Sequence, residues 1–340
     1  MIELPTVREA RLYERKNGLI ECLLCAQNCK IPLRKRGFCN TRLNEEGKLY
    51  TLIYGDIVAC ESRPMEIKPF FHFYPGKTTM TFCAPSCNLR CQWCQNNHLS
   101  RREPRPLKAR HVPPEEILTA AEACGDIGVC ASFTEPTLLF EYLLDLFPIT
   151  KERDMVNTMV SNGYMSARAL EMLVNAGLDA INVDVKGSDE VYRKYCSARK
   201  GDSPPWETIR HALNLGVHVE VVHLVVTGLN DNVRAIKEVC EKHLRFASPD
   251  VPLHITAYFP ACKYNEPPTS VDFLKSAWHI AKSAGIKFAY MGNVGMPPFE
   301  NTYCPNCGAL LIKRSAFRVL SNRLKERKCP SCSSAINIVL

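Results

Sequence analysis

Between residues 79 and 292 the chain alternates short apolar runs with longer stretches whose apolar positions recur every three or four residues. Runs at 79–83, 127–133, 155–161, 180–185, 218–226, 253–258 and 287–291 predict buried strands rich in Val and Ile. Helices are predicted between them. One opens at Pro113-Pro114-Glu115-Glu116, with proline and acids in its first turn. Another covers 166–176 and stops at Gly177, where a left-handed cap costs glycine little. Further helices fit 206–215, 232–243 and 271–284. Repeated strand–helix units imply a parallel sheet, and six or seven of them predict an α/β partial barrel of the (β/α)6 type. A doubly wound sheet is the alternative; in both, chemistry gathers at the C-terminal ends of the strands.

The flanks have a different texture. Residues 1–78 are Cys-rich and irregular, and residues 293–340 form a tail bracketed by two Cys-x2-Cys pairs. The expected organisation is a metal-binding extension (1–78), the barrel (79–292) and a zinc-ribbon-like tail (293–340). Length (340 residues) and apolar content (46%) suit one large domain with appendages. No apolar run is long enough to span a bilayer, and Met1-Ile2-Glu3-Leu4-Pro5 lacks the pattern of a secretory signal, so a cytoplasmic protein without a membrane partner is expected. In that setting 18 cysteines read as metal sites rather than disulfides, because eight cluster before residue 95 and four lie in the tail. The net charge of +8 fits a solvated basic surface. The tail adds Lys313, Arg314, Arg318 and Arg323 with few aromatics, so protein contact or solubility is expected there rather than nucleic-acid binding.

Directly after the first predicted strand stands Cys87-Asn88-Leu89-Arg90-Cys91-Gln92-Trp93-Cys94. A [4Fe–4S] cluster carries four irons, each usually on one thiolate, so three close cysteines leave one iron open. A zinc knuckle completed by Cys83 is the plain alternative. The Cys-x3-Cys-x2-Cys spacing, with an aromatic before the third cysteine, resembles that of radical S-adenosylmethionine (SAM) enzymes. The resemblance implies that Cys87, Cys91 and Cys94 hold the cluster and that the open iron chelates SAM. Reductive cleavage then yields a 5′-deoxyadenosyl radical for hydrogen abstraction, with electrons from a flavodoxin or ferredoxin.

Further elements follow successive strands. Thr134-Glu135-Pro136, Ser161-Asn162-Gly163 and Asp184-Val185-Lys186 resemble the SAM-holding elements of pyruvate formate-lyase activating enzyme. By that resemblance Glu135 accepts from the SAM ammonium, Ser161 and Asp184 help hold a monovalent cation, and Lys186 and His254 point at the SAM carboxylate. Asn162 and Trp93 belong to the same shell, and Gly292-Asn293 passes near the adenine. Taken singly, each is as readily a turn or an ordinary buried residue; their order, one per strand end, carries the argument. Longer motifs resemble the AmmeMemoRadiSam-system radical SAM proteins: Cys22-x2-Cys25-x3-Cys29, Arg36-Gly37-Phe38-Cys39, His72-Phe73-Tyr74-Pro75-Gly76, Cys94-Gln95-Asn96 and Glu300-Asn301-Thr302-Tyr303-Cys304-Pro305-Asn306-Cys307-Gly308. The chain departs from that family at Arg63–Pro69 and at Phe259-Pro260-Ala261-Cys262, the latter at a strand end where substrate is expected.

Two outer thiol sets remain. Cys304, Cys307, Cys329 and Cys332 have zinc-ribbon spacing. Cys22, Cys25, Cys29 and Cys39 suit zinc or an auxiliary iron–sulfur cluster. Cys196 and Cys262 follow strand-end regions and are candidates for the active site or for inert thiols. The substrate, a glycyl position on a partner protein, another protein segment or a small metabolite, is open. A multi-zinc module that recruits protein or RNA is the rival from another class; it gives no reason for the ordered strand-end elements.

Overall fold

A computed structural model describes residues 2–340. At its centre is one eight-stranded sheet whose strands lie in chain order. β1 (Ala59–Pro64) runs antiparallel to β2 (Thr78–Cys83). From β2 onward every neighbour is parallel, through β3 (Gly128–Ala131), β4 (Val156–Ser161), β5 (Ala180–Val185), β6 (His218–Val225), β7 (Leu253–Ala257) and β8 (Ala289–Gly292). The order does not close on itself, so the barrel is partial. The crossovers carry α1 (Pro114–Ala123), α2 (Phe140–Lys151), α3 (Ala167–Asn175), α4 (Asp189–Cys196), α5 (Ser203–Asn214), α6 (Val233–Phe246) and α7 (Val271–Ser283).

Local chemistry agrees with these bounds. Ser166 Oγ accepts from Ala169 N at 3.2 Å, and Asn232 Oδ1 from Ala235 N at 3.0 Å, so each satisfies an otherwise orphaned donor at a helix start. The inner strands are buried on both faces because helices cover the sheet outside and side chains fill it inside.

The seven strands predicted from sequence each overlap an observed strand. β1 differs: it lies within the stretch read as extension, yet pairs along its whole length with β2. Its polar, half-exposed Ala-Cys-Glu-Ser-Arg-Pro is what an edge strand tolerates and periodicity does not flag. Helices α2 and α4 were not anticipated either. α2 is apolar nearly all round and carries Pro148 inside, so it lacks a clean stripe.

Two small antiparallel sheets build the N-terminal region. One joins Tyr13–Lys16, Leu19–Cys22 and Lys30–Ile31; the other joins Arg8–Glu9, Lys48–Thr51 and Arg42–Glu45. The buried Arg42–Glu141 pair at 2.8 Å ties this region to α2. The tail strand Leu310–Ser315 pairs with Thr302–Tyr303 and Arg318–Asn322. Leu311, Ile312, Ile336 and Ile338 share a core with Phe71, Phe288 and Tyr290, so the tail packs on the barrel. Among the described residues no helix is long and apolar enough to cross a membrane.

Candidate active site

The loops after β2, β3, β4 and β5 converge on a cavity of about 410 Å³. Its wall includes Cys87, Cys91, Trp93, Cys94, Glu135, Ser161, Asn162, Asp184, Lys186 and Asn293. Residues scattered over two hundred positions therefore meet because each follows a parallel strand that ends on the same rim. Phe133, at φ 61°, turns the chain sharply ahead of Thr134-Glu135.

Glu135 is buried and heavily bonded. Its Oε1 accepts from Thr137 N (3.0 Å), Thr137 Oγ1 (2.6 Å) and Ser161 Oγ (2.8 Å); its Oε2 accepts from Asn162 N (2.9 Å). Burial pushes its carboxyl above the usual range despite these donors. Oε2 keeps room for another donor from the cavity. Asn162 Nδ2 donates to Asn88 Oδ1 at 2.8 Å and lies 3.7 Å from Cys87 Sγ. Lys186 Nζ sits 3.3 Å from Asp184 Oδ2. Burial opposes the charge on Lys186, but Asp184 and the Cys91 thiolate outweigh it and raise the ammonium well above its ordinary value.

The cysteine loop is held from behind. Arg90 N donates to Cys196 O (2.8 Å), Gln92 N to Tyr195 O (3.1 Å) and Arg101 Nη2 to Cys91 O (3.0 Å). Burial raises the Cys87 thiol, whereas a hydrogen bond from Cys196 holds Cys91 below its ordinary value. Cys196 is thus a buried partner of Cys91 and does not border the cavity. Cys262 is exposed, and Cys83 is buried at the end of β2, paired with Ala59, and does not border the cavity.

His254 departs from expectation. It faces an adjoining cavity of about 460 Å³, and its Nε2 is engaged by Glu220 Oε2 at 2.7 Å. Ile67, Pro69, Gln95, Thr256 and Asn293 border both cavities. Phe259 lines the second one. Sequence reasoning missed Lys68. This buried cation in the wall of the first cavity donates to Arg63 O (2.8 Å), Thr81 Oγ1 (3.0 Å) and the Thr79 hydroxyl, and burial lowers its pKa. The only signal was its place in the Arg63–Pro69 run that the sequence reading singled out.

Among the described residues, one set of side chains draws its metal-binding atoms within 4.8 Å of one another: Cys304, Cys307, Cys329 and Cys332. Cys304 Sγ lies 3.6 Å from Cys332 Sγ, and Cys307 Sγ 3.7 Å from Cys329 Sγ. A tetrahedron with Zn–S bonds of 2.3 Å has edges of about 3.8 Å, so this set fits one zinc ion. Cys87, Cys91 and Cys94 border one cavity without such crowding. That suits thiolates on separate irons rather than on one ion.

Comparison with known proteins agrees with this geometry. The radical SAM superfamily model matches residues 82–242. An uncharacterized protein of Methanocaldococcus jannaschii is 36% identical over 338 residues, spanning 98% of this chain and all of its own. The pyruvate formate-lyase-activating enzyme of Clostridium pasteurianum is 26% identical over 172 residues, or 48% of this chain and 68% of its own. The crystal structure of a radical SAM methyltransferase from Sphaerobacter thermophilus shares the fold, with a TM-score of 0.51 over 85% of this chain and 78% of its own at 14% identity. With a full-length relative, the family match and the three thiols at the expected strand end, the chain belongs to the radical SAM superfamily and is an enzyme.

Proposed function

We propose that this enzyme cleaves SAM reductively and abstracts a hydrogen atom from a substrate held in the adjoining cavity. The observation that carries the reading is the single cavity shared by Cys87, Cys91, Cys94, Glu135, Asn162, Asp184 and Lys186. Cys87, Cys91 and Cys94 would hold a [4Fe–4S] cluster, which when bound supplies the electron that splits SAM into methionine and a 5′-deoxyadenosyl radical. Glu135 Oε2 accepts from the methionine ammonium of SAM, and Lys186 neutralises its carboxylate. Asp184 is the carboxylate open to a monovalent cation. Trp93 and Asn293 bound the space for the nucleoside, and the buried walls exclude water that would quench a radical. The C-terminal cysteines hold zinc and keep the tail folded.

The second cavity, with Phe71, Met291 and Phe259 on its walls and Glu66 and Arg314 at its edge, has room for one large side chain or a small metabolite. Similarity to activating enzymes favours a side chain or glycyl position of a partner protein. Anaerobic protein with SAM and dithionite should be brown and release 5′-deoxyadenosine. Iron that stays absent after reconstitution would return the chain to the zinc-module reading. Deuterium transfer from a labelled substrate pool into 5′-deoxyadenosine identifies the substrate.

A further inference from the structure

Cys22, Cys25, Cys29 and Cys39 surround one pocket, three of them buried and Cys29 half-buried. They converge from separate turns: Cys22 ends a strand, Cys25 and Cys29 follow it, and Cys39 stands beyond the Arg34–Gly37 loop. Despite this convergence they lack the crowding of the tail site, because only the tail thiols meet within 4.8 Å. A zinc ion at 2.3 Å from each sulfur needs edges of about 3.8 Å. Cys87, Cys91 and Cys94 likewise meet at one cavity without drawing within 4.8 Å of one another. The same chain therefore holds one crowded set of four thiols and one that is not crowded.

The pocket wall carries a second sign of an occupant. Arg42 is 2% exposed and borders the pocket. Its Nη1 and Nη2 are bonded to Glu141 Oε2 (2.8 Å) and Leu138 O (3.1 Å), while its buried Nε has no partner. A buried guanidinium donor without an acceptor costs free energy, and sulfide or thiolate sulfur in the pocket would satisfy it. Phe38 N already donates to Cys29 Sγ at 3.4 Å, a bond that favours the thiolate.

The pocket also lies against the back of the cluster loop. Asn88, next to Cys87 in the chain, borders it. Gln27 Nε2 donates to Asn88 O at 2.8 Å, and Ser86 Oγ donates to Cys39 O at 2.5 Å. None of the four thiols borders either large cavity, so substrate does not reach them. Four thiolates on four irons leave no iron open.

From this geometry we infer that Cys22, Cys25, Cys29 and Cys39 hold a second [4Fe–4S] cluster, closed to substrate, that passes electrons to the Cys87–Cys94 centre. It rests on the radical SAM reading above. A low-potential one-electron carrier reduces the second cluster from the 2+ to the 1+ state. That cluster returns to 2+ as the first takes the electron, and the first returns to 2+ when SAM is cleaved. Each turnover thus moves one electron from carrier to SAM.

Metal analysis and electron paramagnetic resonance of anaerobically reconstituted full-length protein test the inference. The wild type should carry about eight irons and about one zinc. The Cys87→Ala, Cys91→Ala, Cys94→Ala triple variant should keep about four irons and a reduced-cluster signal. Cys29→Ser should lower the ratio of flavodoxin-driven to dithionite-driven SAM cleavage at least ten-fold. About four irons with two zincs in the wild type, and an iron-free triple variant, would overturn the inference yet leave the SAM centre intact. An unchanged ratio in Cys29→Ser would overturn the relay. Conversely, a triple variant that keeps its iron and still cleaves SAM would sink the parent reading, not the second cluster.

Discussion

Glu220 Oε2 lies 2.7 Å from His254 Nε2, and neither side chain is more than 2% exposed. The same carboxylate accepts from His72 N (2.7 Å) and Phe71 N (3.0 Å), and His218 Nε2 stands 3.2 Å away. Burial alone would raise its pKa, but hydrogen bonds from His218 and His254 hold it well below the usual carboxylate range. Glu220 therefore fastens the segment between β1 and β2 to β6 and β7. Glu220→Ala would strand two backbone donors and His254 and should cost about 3–5 kcal/mol. Urea denaturation of the zinc-loaded protein measures it. A loss below about 1 kcal/mol would show that the carboxylate is not a structural hub.

Glu135 makes a different prediction because its four donors are preassembled around an acid that faces the cavity proposed for SAM. Glu135→Gln puts an amide against donors that need an acceptor and removes the charge offered to an ammonium. SAM affinity should fall about 10- to 100-fold, the worth of one charge-assisted hydrogen bond. Equilibrium binding of SAM to the anaerobic protein checks this, with iron content as the control. Affinity within twofold of wild type would remove Glu135 from the SAM shell.

The barrel was legible because its inner strands are buried on both faces and rich in Val and Ile, as Val156–Ser161 and Ala180–Val185 illustrate. β1 was not, since an edge strand such as Ala59–Pro64 needs no burial pattern. For the site, strand-end residues such as Asp184 could be placed because the chain order of a parallel sheet is also its spatial order. His254 shows the limit. Its place on a strand is readable, but that Glu220, 34 positions earlier, would claim its Nε2 follows only from lateral pairing of β6 with β7. Lys68 escaped for a related reason, because its hydroxyl partners Thr79 and Thr81 lie across a turn on the next strand.

The zinc ion proposed for the tail should stabilise more than the tail. Arg314 is buried over the Phe71 ring, 4.3 Å from its centroid, and donates to Phe71 O at 2.7 Å. Losing the Cys304–Cys332 and Cys307–Cys329 contacts frees the strands that present Arg314. Cys307→Ser, at an exposed ligand, should therefore lower zinc to well under one per chain and lower the melting temperature of the whole protein. A calorimetric scan distinguishes this from local fraying: a separate low-temperature transition, with the main one unmoved, would show that the tail folds independently.

His72 gives the pH dependence. Its Nδ1 contacts Asn337 O at 2.6 Å, so it carries the hydrogen, and its Nε2 accepts from the Tyr290 hydroxyl at 2.6 Å. Burial lowers its pKa to about 4 in the folded chain, against about 6.5 when unfolded. Between those values the unfolded chain binds the extra proton, so its contribution is fully present above about pH 6.5 and is lost as pH falls toward 4. His223 and His243, also driven by burial to about 4, act in the same direction. The free energy of unfolding should rise from pH 4.5 to 7. Replacing His72 by Phe should flatten that rise by up to one proton's worth, since tail zinc loss and the other histidines are common to both proteins. Urea denaturation at half-unit steps gives both slopes. Equal slopes would mean that His72 is protonated in the folded chain, and that its hydrogen bond to Tyr290 runs the other way.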